Sequence, residues 1–307
     1  MINFKSAVRR IFPQSAIEQA LYLATALPKT SERSRTREIL QEASPRPAYL
    51  EYEDLVRLQE QYPQRPAYGY SPDLLESRGV ERARQILRLP AASAASTFLE
   101  LACWDGMVSA AISKRGKKTV AIDAQSDGFD DRATEAGTSL VGMDAASLTF
   151  EDNSFDFVFS YDAFEHFANP EAVLQQAIRV AKPNGHIYLE FGPLYYSPWG
   201  EHAYDAVKVP YCQFLFTRDA MERFTKTHGL TEIDWNHVNH LALRNYRDLW
   251  KKYSNDLKPI QYFERLNLSH LDLIRAYPSC FISKSSDFEN FTVSNVSALF
   301  QVTKPNA

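Results

Sequence analysis

Between Thr97 and Phe191 the chain alternates short apolar runs with stretches whose apolar residues recur at helical spacing, the pattern of parallel strands joined by crossover helices. Thr97–Leu101, Thr119–Ile122, Leu140–Met143, Phe155–Ser160 and Ile187–Phe191 read as strands. Met107–Lys114 reads as a helix closed by Gly116, and 126–136 as a polar helical stretch. Asn169 and Pro170 open a further helix ending near Lys182, since asparagine suits an N-cap and proline the first turn. The pattern predicts a doubly wound α/β domain. Beyond it, Thr217–Thr227 reads as a helix, Leu230–Trp235 as a strand and Phe291–Val302 as the last strand.

Residues 1–95 have a different texture and are expected to form a helical extension ahead of a domain spanning 96–307. Ile17, Ala20, Leu21, Ala24 and Leu27 lie at helical spacing, with Ser15 and Glu18 fitting a capping box and Pro28 ending the run. The stretch from Thr30 to Glu38, where arginines alternate with polar residues, reads as a solvated loop. Helices follow at 51–62 and 71–88, the second with Ser71 as N-cap, and Pro90 with the link 91–96 marks the boundary. Residues from about 237 to 290 are expected as a helical insertion before the last strand, rich in aromatics such as Tyr246, Trp250 and Tyr262.

Hydrophobic residues make up 45% of the 307 and charged residues 23%, which excludes intrinsic disorder as the overall state. Thirty-four basic residues against 38 acidic ones give a net charge of −4, so no basic footprint points to nucleic acid. Cys103, Cys212 and Cys280 form no CxxC pair, and a reducing, cytoplasmic setting is expected. No apolar run reaches the length of a membrane span, and no metal site is expected, His237, His240 and Asp234 having nothing to fix their geometry.

In open α/β sheets ligands bind beyond the carboxyl ends of the strands. There the sequence offers Glu100 through Gly106 after the first strand, Asp123 after the second, Asp144 after the third and Ser160-Tyr161-Asp162 after the fourth. A dinucleotide fingerprint would need glycines where Ala102 and Trp104 stand. The segments FLELACWDG (98–106), VAID (120–123), GMDAASLTFEDNSFDFVFSYDAFEHFANP (142–170) and RVAKPNGHIYLEF (179–191) resemble instead the class I S-adenosylmethionine-dependent methyltransferases. The resembling group places Glu-His after strand four and a Lys-Pro-Gly-Gly turn before strand five; Asn184 replaces one of those glycines.

The resemblance implies a Rossmann-like, seven-stranded sheet with its last strand antiparallel at the edge, and S-adenosyl-L-methionine as cofactor. It implies that Glu100 and the backbone of Ala102, Trp104 and Gly106 hold the methionine moiety, and Asp123 the ribose hydroxyls. Asp144 would take the adenine amino group, Met143 or Ala145 would line the ring, and Ser160 and Tyr161 would lie near the sulfonium. The expected function is methylation of a small-molecule acceptor at oxygen. A base is then needed, and His202 or His166 could serve. The loop 192–204 supplies Tyr195, Tyr196, Trp199 and Tyr204 as candidate acceptor-binding residues. The alternative is an inactive binding or scaffold protein of the same fold, its cofactor cleft altered by Trp104.

Overall fold

The structure, a computed structural model, describes residues 30–64 and 69–304. The amphipathic pattern at 15–27 lies outside the described residues. Seven strands form one sheet in the order β3-β2-β1-β4-β5-β7-β6. They span Thr97–Leu101 (β1), Lys118–Asp123 (β2), Thr138–Gly142 (β3), Phe155–Tyr161 (β4), Ala181–Phe191 (β5), Leu257–Leu266 (β6) and Val293–Val302 (β7). β1 to β5 pair in parallel, while β7 runs antiparallel to both β5 and β6. The reversal of strand order between β1 and β4 opens the crevice where such sheets bind ligands.

Successive residues of the central strands point to opposite faces, and each face has its own core. Phe98, Phe157, Phe159, Tyr188 and Leu299 meet Ala83, Ile86, Val108 and Ile112 on one side. Leu99, Leu101, Val158, Ile187, Leu189 and Phe300 meet Val173, Leu174, Ala177 and Tyr246 on the other. The helix Pro72–Leu87 therefore packs directly on the sheet-covering layer: a Cβ on its Gly79 would fall 2.5 Å from the Met107 carbonyl oxygen. A third core, built on Tyr211, Phe214, Phe281 and Phe291, lies under the segments that follow β5.

Three expectations need correction. Thr30–Glu42 is a helix, not a loop; its buried stripe is only Thr36 and Leu40, four residues apart, too narrow to stand out in sequence. Leu230–Trp235 is irregular, and the sixth strand is β6, inside the 237–290 stretch along with the helices Leu243–Lys252, Leu271–Ala276 and Pro278–Ile282, while a last helix, Phe288–Thr292, runs past its end. β6 is the edge strand and most of its residues are exposed or half-buried, so it carries Pro259 and lacks an apolar alternation. Consequently the last strand, β7, is antiparallel but lies inside the sheet.

Candidate functional site

Past Leu101 the chain must turn onto the helix Met107–Ser113 within five residues. It does so through three left-handed residues, Ala102 (φ 55°), Trp104 (φ 51°) and Gly106 (φ 76°). Glycine enters this region freely, whereas alanine or tryptophan costs about 1 kcal/mol or more there. The loop thus keeps a glycine-like path with residues that resist it, and hydrogen bonds hold it down. The Asp123 carboxylate accepts the Trp104 amide (2.8 Å) and the Gln125 amide (2.9 Å). The Cys103 amide donates to the Ile122 carbonyl (2.9 Å), and Asp105 accepts the Met107 amide (2.8 Å). The Trp104 indole is 46% exposed and lies on the 126–128 turn, its ring 3.1 Å from where a Cβ on Gly128 would sit. It is not buried in the crevice.

Glu100 is 3% exposed and turned to the helix, where its Oε2 accepts the Ser109 amide (3.1 Å) and hydroxyl (2.6 Å). Burial raises its pKa to about 8, only partly offset by Ser109. Its role visible here is to fix the helix behind the loop. Asp123 is half-buried at the end of β2; each of its oxygens takes one amide and has a further lone pair for a diol. The backbone amide of Met143 donates to the Asp123 carbonyl (2.8 Å), Asp144 is exposed with Oδ1 on the Ala146 amide (2.8 Å), and Ala145 is buried. Ser160 is fully buried, and its hydroxyl has no hydrogen-bond partner among the described residues.

At the end of β4 the helix Pro72–Leu87 contributes residues that the sequence reading missed. The Tyr161 hydroxyl donates to Gln85 (2.7 Å), and burial raises its pKa. Arg82 stacks 4.7 Å above the Tyr161 ring and forms an ion pair with Asp162. Arg78, Arg82 and Gln85 occur at helical spacing, a polar stripe whose meaning only the packing reveals.

The second group of candidates meets at the ends of β4 and β5. His166 and His202 have ring centroids 5.0 Å apart, and His237 joins them at 4.3 Å from His166 and 5.5 Å from His202. His166 Nδ1 donates to the His237 carbonyl (2.5 Å), and His202 Nε2 to the Pro193 carbonyl (3.1 Å). Burial holds the His166 pKa down to about 4, so the ring is neutral near pH 7. Beneath it Glu165, 2% exposed, accepts the Gly192 amide (3.0 Å), and burial raises its pKa to about 8.

Trp199, His202 and Tyr204 line one narrow crevice with Glu201 and Gln213. Burial lifts the Glu201 pKa to about 7. Tyr195 and Tyr196, in contrast, are drawn into packing: Tyr195 against Phe214 (5.6 Å) and His240 (4.3 Å), Tyr196 against Phe214 (5.3 Å) and Phe291 (6.1 Å). The sequence offered His237 only beside His240 and Asp234; nothing near it in the chain foretells its approach to His166 and His202.

A doubly wound sheet with an acidic residue ending β2 and a tight loop after β1 places these side chains at the crevice where open α/β sheets bind ligands. Residues 99–189 match the family model described as "Methyltransferase domain", which makes this segment a methyltransferase domain. An uncharacterized methyltransferase of Mycobacterium sp. (strain JLS) is 27% identical over 134 residues, 43% of this chain and 51% of that protein. A ubiquinone biosynthesis O-methyltransferase of Parvibaculum lavamentivorans is 25% identical over 97 residues, 30% of this chain and 38% of that protein. Among solved structures, the N-methyltransferase NodS of Bradyrhizobium japonicum aligns at 13% identity and a TM-score of 0.43, covering 76% of this chain and 100% of that one. The chain spans about half the length of the first of these relatives, or less. Among the described residues no helix is long and apolar enough to cross a membrane.

Proposed function

We propose that the protein is an S-adenosylmethionine-dependent methyltransferase acting on a small-molecule acceptor, at oxygen. The observation that carries this reading is the union of the loop 102–106 with Asp123. A loop kept left-handed at Ala102, Trp104 and Gly106 donates an amide to the acid at the end of β2. The cofactor, when bound, supplies a methyl group activated by a sulfonium. The residues fit it: it brings no phosphate, so no glycine-rich cradle is needed, and the spare lone pairs of Asp123 suit the ribose hydroxyls. The unpartnered, buried Ser160 hydroxyl and the Tyr161 ring lie where the methionine end is expected. Asp144, with Met143 and Ala145, would bind adenine.

Methyl transfer at oxygen depends mainly on alignment, with proton removal as a further contribution. The neutral imidazole of His166, with His202 beside it, gives the acceptor side groups able to interact with a hydroxyl. The name of the Parvibaculum relative supports oxygen as the target. Trp104, standing on the 126–128 turn, gives no support to a blocked cleft.

Calorimetric titration with S-adenosylhomocysteine tests this reading. Saturable binding is expected, weakened at least ~10-fold by Asp123→Ala, since a lost pair of charge-assisted hydrogen bonds is worth about 1.5 kcal/mol or more. No heat and no thermal stabilisation would overturn it. Incubation with methyl-labelled cofactor and paired phenolic and amine acceptors then tests the target atom, with label expected on the phenol alone.

A further inference from the structure

We propose that His166, His202 and His237 bind a single transition-metal ion, with zinc as the best match. Each ring can offer one nitrogen such that all three atoms lie within 4.8 Å of one another. The three come from separate segments: the turn after β4, the loop after β5 and the irregular stretch 229–242. That stretch is anchored onto the β4 exit, for the Asn239 amide donates to the Glu165 carbonyl (2.8 Å) and its side chain to the carbonyls of Phe164 and Phe167 (3.2 Å each).

The hydrogen bonds select the tautomers. A carbonyl oxygen only accepts, so His166 Nδ1 and His202 Nε2 must carry protons, and in neutral rings the lone pairs fall on His166 Nε2 and His202 Nδ1. An imidazole whose other nitrogen donates to a backbone carbonyl is the usual arrangement of a metal-binding histidine. A second observation points the same way. Glu165 is 98% buried, its Oε1 lies 3.8 Å from His166 Nε2, and its Oε2 has no hydrogen-bond partner among the described residues.

Three imidazoles without thiolates suit zinc and its neighbours rather than magnesium or calcium, which prefer oxygen shells. Tetrahedral zinc with bonds of about 2.0–2.1 Å puts ligand nitrogens roughly 3.3 Å apart, so the widest pair must close by up to roughly 1.5 Å. His237 is exposed, so the closure falls to its ring. Three protein ligands leave a fourth position open, as at catalytic rather than structural zinc sites. The ion's binding does not depend on the methyl-transfer reading.

The test uses untagged full-length protein, stripped with a chelator and titrated with cobalt(II), then with zinc in competition. One equivalent of cobalt with visible absorption of a low-coordinate site is expected, displaced by zinc. His237→Ala, at an exposed position, and His166→Ala should each weaken binding at least ~10-fold, whereas His228→Ala, at an exposed helix end, should not. Absent cobalt absorption, or affinity unchanged by His237→Ala, would overturn the proposal. Retained cofactor binding in these variants would show that any loss belongs to the metal site alone.

Discussion

The two halves of the crevice are built in different ways. On the side of β1 to β3 each candidate residue is fixed by neighbours close in the chain or on the adjacent strand: Glu100 by Ser109, Asp123 by Trp104 and Gln125, Asp144 by Ala146. On the side of β4 and β5, His202 is held locally by the Pro193 carbonyl, but other candidates are fixed by residues far away: His166 by the His237 carbonyl, Tyr161 by Gln85, Tyr196 by Phe291. Local fixation leaves a motif in the sequence. Distant fixation leaves none, and it allows the second side to be refitted to a new acceptor without disturbing the first.

The sharpest way to break this contrast is at Gly200. A Cβ there would fall 2.2 Å from the carbonyl oxygens of Leu194 and Tyr195, so Gly200→Ala must push the acceptor loop apart. A loss of about 3 kcal/mol is expected by denaturant unfolding, with S-adenosylhomocysteine affinity nearly unchanged in the protein that remains folded. A large fall in cofactor affinity would show that the halves are not separable.

Next comes Asp156, at the opposite end of the cofactor-side strands. It accepts the amides of Ser96 (3.0 Å) and Thr97 (2.9 Å) and the Thr97 hydroxyl (2.9 Å), and pairs with Lys182 (2.7 Å). Burial pushes its pKa up, but Lys182 and these donors outweigh it and hold the carboxyl at about 2, below its ordinary 3.8. Because the folded pKa is the lower one, its stabilisation is fully present above about pH 4 and lost as the pH falls toward 2. Asp156→Asn should therefore cost about 2 kcal/mol at pH 7 and little at pH 2, read from paired unfolding curves.

Asp123→Ala should cost about 1 kcal/mol of stability, through the two amides it leaves unpaired, beside its larger effect on the cofactor. The smallest effect is expected at Trp104. Trp104→Gly removes left-handed strain but adds freedom to the unfolded chain, so thermal unfolding should move by less than about 1 kcal/mol in either direction.

This contrast also explains what could be read from the sequence. The strands from β1 to β5 and the helices between them declare themselves through apolar runs and caps, as with Asn169, which does accept the Ala172 amide (3.1 Å). Asn184 takes the left-handed geometry that a glycine would, with φ 62°. β6 did not declare itself, because an edge strand need not be apolar, and the helix Thr30–Glu42 did not because two buried residues suffice to dock it. The loop after β1 was legible as a site, yet Glu100 turned out to face the helix rather than the crevice. Arg82 and Gln85 could not be found from local pattern at all, and His237 was visible only with the wrong partners, since each acts across a long stretch of chain.

The central claim is that a sulfonium nucleoside binds across the carboxyl ends of β1, β2 and β3. Hydrogen exchange with and without S-adenosylhomocysteine tests it most directly. Protection is expected in 100–106, 123–128 and 143–147, with little change in 193–204. Protection confined to the acceptor loop, or none anywhere at saturating ligand, would contradict it.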